Sequence, residues 1–476
     1  MINLVPGKSL LKFDSQLPVY NWLYPMKGQD LDKVTHRELY SSIDVSTVRS
    51  RALYFHIPFC DTICTFCTLN RGIGHTGDEA VELYTQALIR EIEIKSVYGS
   101  VNSLPIRAIF FGGGSPSILT AGQIRRIGAA IHQHFDMSLV PEFCFEIEVK
   151  SITEEKCAAM RDIGVNKVRF GCQSFDPKYR QLFNLTATIE QTYAAVEMFK
   201  RYFAYTSIDM IYGMHGQTFE DFARDIEQAV GLGTETMELY PITNIVTQAP
   251  LHHGYARAGL KPLSFVDKMG MTIFLNTYLR ASGFQQHNGH GFVRLPDNHV
   301  PEDTFISRSY TNIYNEHCWA YHDQDLIGFG NSAISQIDRY TVMNDDNRAT
   351  YVKGLLENDD FKINLSVGDD IPWDRGLVLR LPYFGYVEKS RIPWDKVMPG
   401  NVDKLARLVD EGLLLETPTE YRVTELGWIW YVNMMYYLSP EADQQILDDF
   451  VTLKYRTKGI TDGERSMLPV LQVARS

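Results

Sequence analysis

With 476 residues, 45% of them hydrophobic, the chain is long enough for one barrel-sized domain with appendages or for two domains, and apolar enough to fill a sizeable core. Its 58 acidic against 46 basic residues give a formal charge of −12, which argues against a general nucleic-acid or anionic-membrane binder. No uncharged stretch is long enough to span a bilayer and the opening MINLVPGKSLLKFDSQ lacks a secretion-signal pattern, so a cytoplasmic protein with neither membrane nor nucleic-acid partner is expected.

Residues 1–50 are irregular and rich in Tyr, Pro and Ser, and read as an N-terminal extension wrapping the body. From residue 51 short strand-like runs alternate with amphipathic helical stretches. ALYFHI (52–57) precedes a helix over 78–98, AIFF (108–111) one over 121–135, and FCFEIEV (143–149) the stretch EEKCAAMRDIG. KVRFGC (167–172) precedes IEQTYAAVEMFKRY, YTSIDMIYG (205–213) leads into FEDFARDIEQAVGLG, and TMELYPI (236–242) ends the series. This alternation predicts a parallel sheet with crossover helices, closing as an incomplete (β/α)6 barrel over 51–300.

Three cysteines fall in the loop after the first strand, in CDTICTFC (60–67), while the other four, Cys144, Cys157, Cys172 and Cys318, are scattered. Clustered thiols in a reducing compartment point to metal chemistry, either an iron–sulfur cluster or zinc with His56 or His75 as fourth ligand. No second C-x2-C pair exists, which weighs toward the cluster. Further unusual residues fall at the carboxyl ends of the later strands, where parallel α/β barrels place their active sites: GGGSPS (112–117), Glu148, Gln173, Asp209 and Tyr240. Gly112, Gly113 and Gly114 leave backbone groups open to a ligand, yet neither phosphate-loop spacing is present, which disfavours nucleoside triphosphates.

YFHIPFCDTICTFC, FFGGGSPSIL, EIEVKSIT, GVNKVRFGCQSFD and SIDMIYGMHGQT together resemble the radical S-adenosylmethionine (SAM) enzymes of the oxygen-independent coproporphyrinogen III oxidase-like subfamily. The likeness covers residues 51–245 and continues more loosely through YNEHCWAYHDQDLIGFGNSAIS (314–335). It implies that Cys60, Cys64 and Cys67 ligate three irons of a [4Fe–4S] cluster whose fourth iron is chelated by SAM. By the same resemblance Phe66 lies against the adenine, Gly112 to Gly114 meet the methionine amino group, Glu148 and Gln173 contact the polar parts of SAM, and Asp209 its ribose side. A flavodoxin- or ferredoxin-type reductant is implied as partner.

The second half begins with an amphipathic helix over 264–283. FQQHNGHGF (284–292) holds His287 and His290 in a Gly-rich loop, open to two readings: solvated histidines, or substrate contact and proton transfer at the barrel mouth. Tyr240 and His290 are the candidate catalytic residues. Residues 301–370 read as a connecting segment. Residues 371–455 form a winged-helix-like, mostly helical domain without a basic recognition face, in which WIWYVNMMYY makes a buried helix, and 456–476 a tail.

Departures from the subfamily pattern refine the expectation. Leu69 stands where the decarboxylating members carry a further cysteine, Leu185 where many relatives carry an arginine, and Cys318–Trp319 where the haem chaperones read Tyr–Trp. The chain therefore resembles in character the class C methyltransferase and cyclopropanase members, which implies one or two SAM molecules and one-carbon transfer to an aromatic, conjugated or tetrapyrrole substrate. A coproporphyrinogen-type oxidative decarboxylase and a non-catalytic haem chaperone are the alternatives.

Overall fold

The computed structural model describes residues 22–26, 32–242, 248–296 and 312–455. All six expected strands form: β1 (Ser50–Ile57), β2 (Ile106–Gly113), β3 (Glu142–Ile147), β4 (Lys167–Gln173), β5 (Tyr205–Tyr212) and β6 (Thr236–Pro241). Each pairs in parallel with the next. The crossover helices start where the sequence supplies caps: Thr120 with Gln123 before Ala121–His134, Thr188 with Gln191 before Ile189–Tyr202, and Thr218 before Phe219–Gly231. Each cap satisfies an N–H that the first helical turn leaves without a partner.

Alternation along the strands sorts the side chains into two environments. On the helix-facing side, Phe55, Phe111 and Phe145 are register neighbours in β1, β2 and β3. With Phe329 they make a ladder of stacked rings at centroid spacings of 4.9, 4.7 and 5.0 Å. Each such contact contributes about 0.5–1.5 kcal/mol beyond burial. The residues one step along, Tyr54, Phe110, Glu146 and Arg169, face the interior of the curved sheet and line cavities there.

Two findings go beyond the sequence reading of 301–370. A seventh strand, β7 (Gln324–Phe329), pairs in parallel with β1 on its outer side. Antiparallel strands then extend that side through Ile334–Ile337, Tyr340–Asn344, Lys362–Val367 and Asp32–Thr35, while Gly291–Arg294 and Phe284–Gln286 extend the β6 side. Among the described residues the segment read as a connector is thus part of one thirteen-stranded sheet.

A second core lies C-terminal to the sheet. The helix Pro399–Asp410, the strands Leu414–Glu416 and Glu420–Val423 and the helix Tyr431–Leu438 follow one another as in a winged helix, with Tyr386–Glu388 as third strand. The aromatic stretch is broken rather than continuous: Trp430 leaves the helical backbone (φ −114°, ψ 17°) between Glu425–Ile429 and Tyr431–Leu438. Trp22, Tyr24 and Met26 are buried in this core, tied down by Tyr24 Oη donating to Asp374 at 2.9 Å and by the Met26 amide donating to Asp443 at 2.7 Å. The rest of the segment before residue 32, and the 456–476 tail, lie outside the described residues.

Candidate active site

The cysteine loop is fixed by its backbone. Phe59–Cys60 pairs with Gly72–Ile73, the Arg71 guanidinium donates to the Cys64 and Cys67 carbonyls at 3.1 Å each, and the Thr65 amide donates to the Phe183 carbonyl at 3.1 Å. Held this way, Cys60, Cys64 and Cys67 all line one cavity of about 250 Å³ together with Gly113, Gly114 and Glu148. Among the described residues no three His, Cys, Asp or Glu donors converge as on a single metal ion. Three thiols set around a cavity suit a polynuclear cluster with separate corner irons better than one zinc. Neither histidine proposed as the fourth zinc ligand lines that cavity. The His56 ring is engaged with Tyr54 Oη at 2.9 Å and the Asn70 carbonyl at 3.2 Å, and His75 is exposed. Burial pushes the Cys60 and Cys64 thiols up to about 12, so a thiolate there needs a cationic partner such as iron.

The three glycines owe their identity to packing as well as to the cavity. A Cβ on Gly114 would lie 2.5 Å from the Phe59 carbonyl oxygen, and one on Gly113, which has φ +107°, would meet the His56 ring at 2.6 Å. A Cβ on Gly112 would meet Phe110 at 2.7 Å and Glu146 Oε2 at 2.8 Å. Besides leaving backbone open beside the cavity, these positions let the end of β2 close against β1 and the cysteine loop.

Glu148 Oε2 is buried in this cavity without a hydrogen-bond partner, and burial raises its carboxyl to about 7. An acceptor left this way suits an ammonium group, as on the amino end of SAM. Gln173 stands at a bulge at the end of β4 with φ +67°, its amide folded over Gly171. Asp209 is not free to face a ribose alone, because Arg169 Nε holds both its oxygens at 2.8 and 2.9 Å. Arg180, a turn before Leu185, lines the cavity but spends its guanidinium on the carbonyls of Cys172, Ser174 and Ala187. Phe66 packs edge-on against Phe183 at 4.9 Å.

Two residues overlooked in the sequence occupy the centre of the site. Glu146 and Arg169 are register partners on β3 and β4, and both line three cavities: the cysteine cavity, a second of about 320 Å³ that Tyr240 also lines, and a third of about 310 Å³. Leu69 borders all three as well. The strand period was the available signal, since Glu146 shares a face with Glu148 and Arg169 with Gln173.

The solvated reading of the loop histidines is overturned. HNGHG is the turn of a hairpin whose second strand pairs with β6, Gly291 opposite Glu238, and this buries both rings. His287 and His290 lie 3.7 and 3.6 Å from the Glu238 carboxylate. Burial lowers His290 to about 4, and its Nε2 is 3.2 Å from Tyr383 Oη. Tyr240 lies 4.2 Å from the His290 ring and hydrogen-bonds the Arg169 guanidinium.

Comparison with known proteins matches residues 54–229 to the radical SAM superfamily. The anaerobilin synthase of Escherichia coli O157:H7 is 28% identical over 81% of this chain and 83% of its own length. The heme chaperone of Lactococcus lactis subsp. lactis is 30% identical over 61% of this chain and 72% of its own. The oxygen-independent coproporphyrinogen III oxidase of Pseudomonas aeruginosa is 30% identical over 62% of this chain and 64% of its own. The solved structure of the coproporphyrinogen III oxidase from Escherichia coli shares the fold, with a TM-score of 0.73 at 23% identity, covering 88% of this chain and 97% of that one.

Proposed function

The chain belongs to the radical SAM superfamily, in its oxygen-independent coproporphyrinogen III oxidase-like subfamily, and from that premise we propose that it takes hydrogen from a flat conjugated substrate of tetrapyrrole type. The carrying observation is a cavity of about 310 Å³, lined in part by the rings of Trp22, Tyr54, Phe110, Tyr314 and Trp319, that meets the cysteine cavity at Leu69, Gly113, Glu146 and Arg169. The names of the three relatives above, a synthase of anaerobilin, a chaperone of heme and an oxidase of coproporphyrinogen, all concern tetrapyrroles.

A [4Fe–4S] cluster and SAM, the cofactors of this family, supply one-electron cleavage of a sulfonium and hydrogen abstraction from an unactivated C–H bond. In this reading Cys60, Cys64 and Cys67 hold the cluster, and Phe66, Gly112, Gly113, Gly114, Glu148, Gln173 and Asp209 hold SAM. Glu148 accepts from the ammonium through the Oε2 that has no protein partner. Arg169 fixes the Asp209 carboxylate and the Tyr240 hydroxyl, so the wall facing the substrate is set before it arrives. His290, kept neutral by burial, holds or takes a proton at Nε2 beside Tyr383 Oη. The electron comes from a flavodoxin- or ferredoxin-type donor.

The finer reading is one-carbon transfer, and it rests on Leu69. That residue stands where the decarboxylating members carry a further cysteine, and it borders all three cavities, where a cysteine side chain would otherwise project. The oxidase, synthase and chaperone names of the relatives above lend it no support. Methyl-deuterated SAM decides between the courses. Deuterium in 5′-deoxyadenosine with a substrate heavier by one carbon unit supports transfer; carbon dioxide release without that label shows oxidative decarboxylation. Reduced, cluster-loaded protein that yields no 5′-deoxyadenosine with any tetrapyrrole overturns the enzyme reading in favour of a chaperone.

A further inference from the structure

Arg71, Lys150, Arg169 and Arg180 line the cysteine cavity, and their charges are answered in different ways. Lys150 pairs with Asp61 at 2.8 Å, and Arg169 with Asp209 at 2.8 Å. Arg180 spends its guanidinium on the carbonyls of Cys172, Ser174 and Ala187, outside the cysteine loop. Arg71 belongs to the loop and binds it. Among the described residues it pairs with no carboxylate; its Nη1 donates to the Leu69 carbonyl at 2.6 Å, and its Nη2 to the Cys64 and Cys67 carbonyls at 3.1 Å each. A planar fork suits three acceptors set this way, whereas an ammonium meets them only as a point charge. Carbonyl oxygens carry partial charges, so they hold a guanidinium in place without cancelling it. Burial pushes the thiols of Cys60, Cys64 and Cys67 up, and Arg71 opposes that rise at all three, so its field reaches every expected ligand.

We propose that Arg71 sets the reduction potential of the cluster: its guanidinium fastens the backbone of the cysteine loop and leaves a positive charge at the cavity that no carboxylate offsets, which favours the reduced state. Reduction adds one electron from the flavodoxin- or ferredoxin-type donor and neither makes nor breaks a bond. The cluster with three thiolates is already negative, so the added charge is stabilised by a cation beside it. Net charge and hydrogen bonding around such a cluster are among the features that fix its potential. Without Arg71 the potential falls and the donor reduces a smaller share of the protein. Arg71 is a positioning residue, since it touches the backbone of the ligands and not the reacting atoms. The inference rests on the cluster assignment given above and adds to it the residue that tunes the cluster.

The test is a potentiometric titration of the full, iron-loaded chain with titanium(III) citrate and dye mediators, read by the paramagnetic signal of the reduced cluster, with bound iron measured alongside. Arg71→Gln keeps amide donors and removes the charge; Arg71→Lys keeps the charge and removes the fork. Arg407→Gln, which takes a cation from the helix Pro399–Asp410 outside the cavity, is the control. A unit charge a few ångströms away, screened as near a protein surface, shifts such an equilibrium by about tenfold or more. For a one-electron couple that is a change of about 59 mV. The expected result is a potential lowered by at least that much in Arg71→Gln, the wild-type potential with less bound iron in Arg71→Lys, and no change in the control. Equal potentials in iron-loaded wild type and Arg71→Gln overturn the inference and leave the cluster assignment standing. A potential lowered as far in Arg71→Lys as in Arg71→Gln also overturns it, because the fork and not the charge would then be at work. Should Arg71→Gln take up no iron, the lysine variant decides: iron held at the wild-type potential supports the charge, and iron held at a lower potential, or none, overturns it. Wild type that binds no iron overturns the cluster assignment, and the inference with it.

Discussion

Two buried arginine–aspartate pairs lie at opposite ends of the same parallel sheet, and they are built differently. At the amino-terminal ends, Arg51 of β1 faces its register partner Asp325 of β7, both 0% exposed. Arg51 Nε donates to Asp325 at 2.8 Å, and Nη1 donates to the Ser100 and Val101 carbonyls at 2.7 and 2.6 Å. At the other end, Arg169 and Asp209 face open cavities, near a Glu148 oxygen and two indole N–H groups that no protein atom satisfies. The lower pair is a closed account of donors and acceptors, as a structural joint must be. The upper one lies in a neighbourhood whose unmet groups are the mark of a place where something else binds.

The sharpest break of that comparison is removal of the cysteines. Replacing Cys60, Cys64 and Cys67 together by alanine abolishes bound iron, the brown colour and the cluster's paramagnetic signal. The far-ultraviolet circular dichroism should not change, because the loop is held by backbone contacts and the phenylalanine ladder lies on the far face of the sheet. Cys144, Cys157, Cys172 and Cys318 replaced singly retain full iron. Iron content unchanged in the triple variant would sink the ligand assignment.

The lower pair responds in the opposite sense. Asp325→Ala leaves the Arg51 guanidinium buried with two carbonyls and no counter-charge, which costs about 3–5 kcal/mol of stability. Urea unfolding monitored by circular dichroism should show a clearly lower midpoint, while iron uptake per folded molecule stays at the wild-type level. A midpoint within error of wild type would mean that the joint carries no load and that the contrast between the two rims is false.

Legibility in the sequence followed the same division. Six strands and their helices were readable because each apolar run is followed by a capped amphipathic stretch, and the cysteine loop because its spacing is local. β7 was not, since Gln324–Phe329 has no crossover helix after it and finds its place beside β1 only through the tertiary fold. For His287 and His290 the sequence left two readings open, because a Gly-rich turn looks solvated and its burial depends on pairing with β6. Glu146 and Arg169 could have been found by carrying the period of two one step further. Trp22 could not, because its cavity is assembled from segments roughly 300 residues apart in sequence.

The smallest effect is also the one whose direction is most specific. Glu146 faces Arg169, Asp209 and the Gly113 amide; burial raises its carboxyl to about 7, with Asp209 adding to the rise and Arg169 and the amide opposing it. Its folded form therefore binds the proton more tightly than the unfolded chain does. The stability this proton confers is fully present below the ordinary glutamate range, near pH 4, and is lost as pH rises through about 7. Glutamine imitates the protonated side chain and has nothing to lose. Glu146→Gln should exceed wild type only slightly in urea unfolding at pH 5 and by about 1–2 kcal/mol more at pH 8, a modest figure because the cavity leaves the group some contact with water. Asp209 is raised in the same pH range and repels Glu146, so the difference between the two proteins reports the Glu146 carboxyl together with its coupling to Asp209. The same pair of pH values applied to Asp325→Ala should give a large loss at both. If Glu146→Gln instead shifts stability equally at pH 5 and pH 8, the carboxylate is not an underpaired group at the mouth of the site, and the two ends of the sheet are alike in the one respect that separates them here.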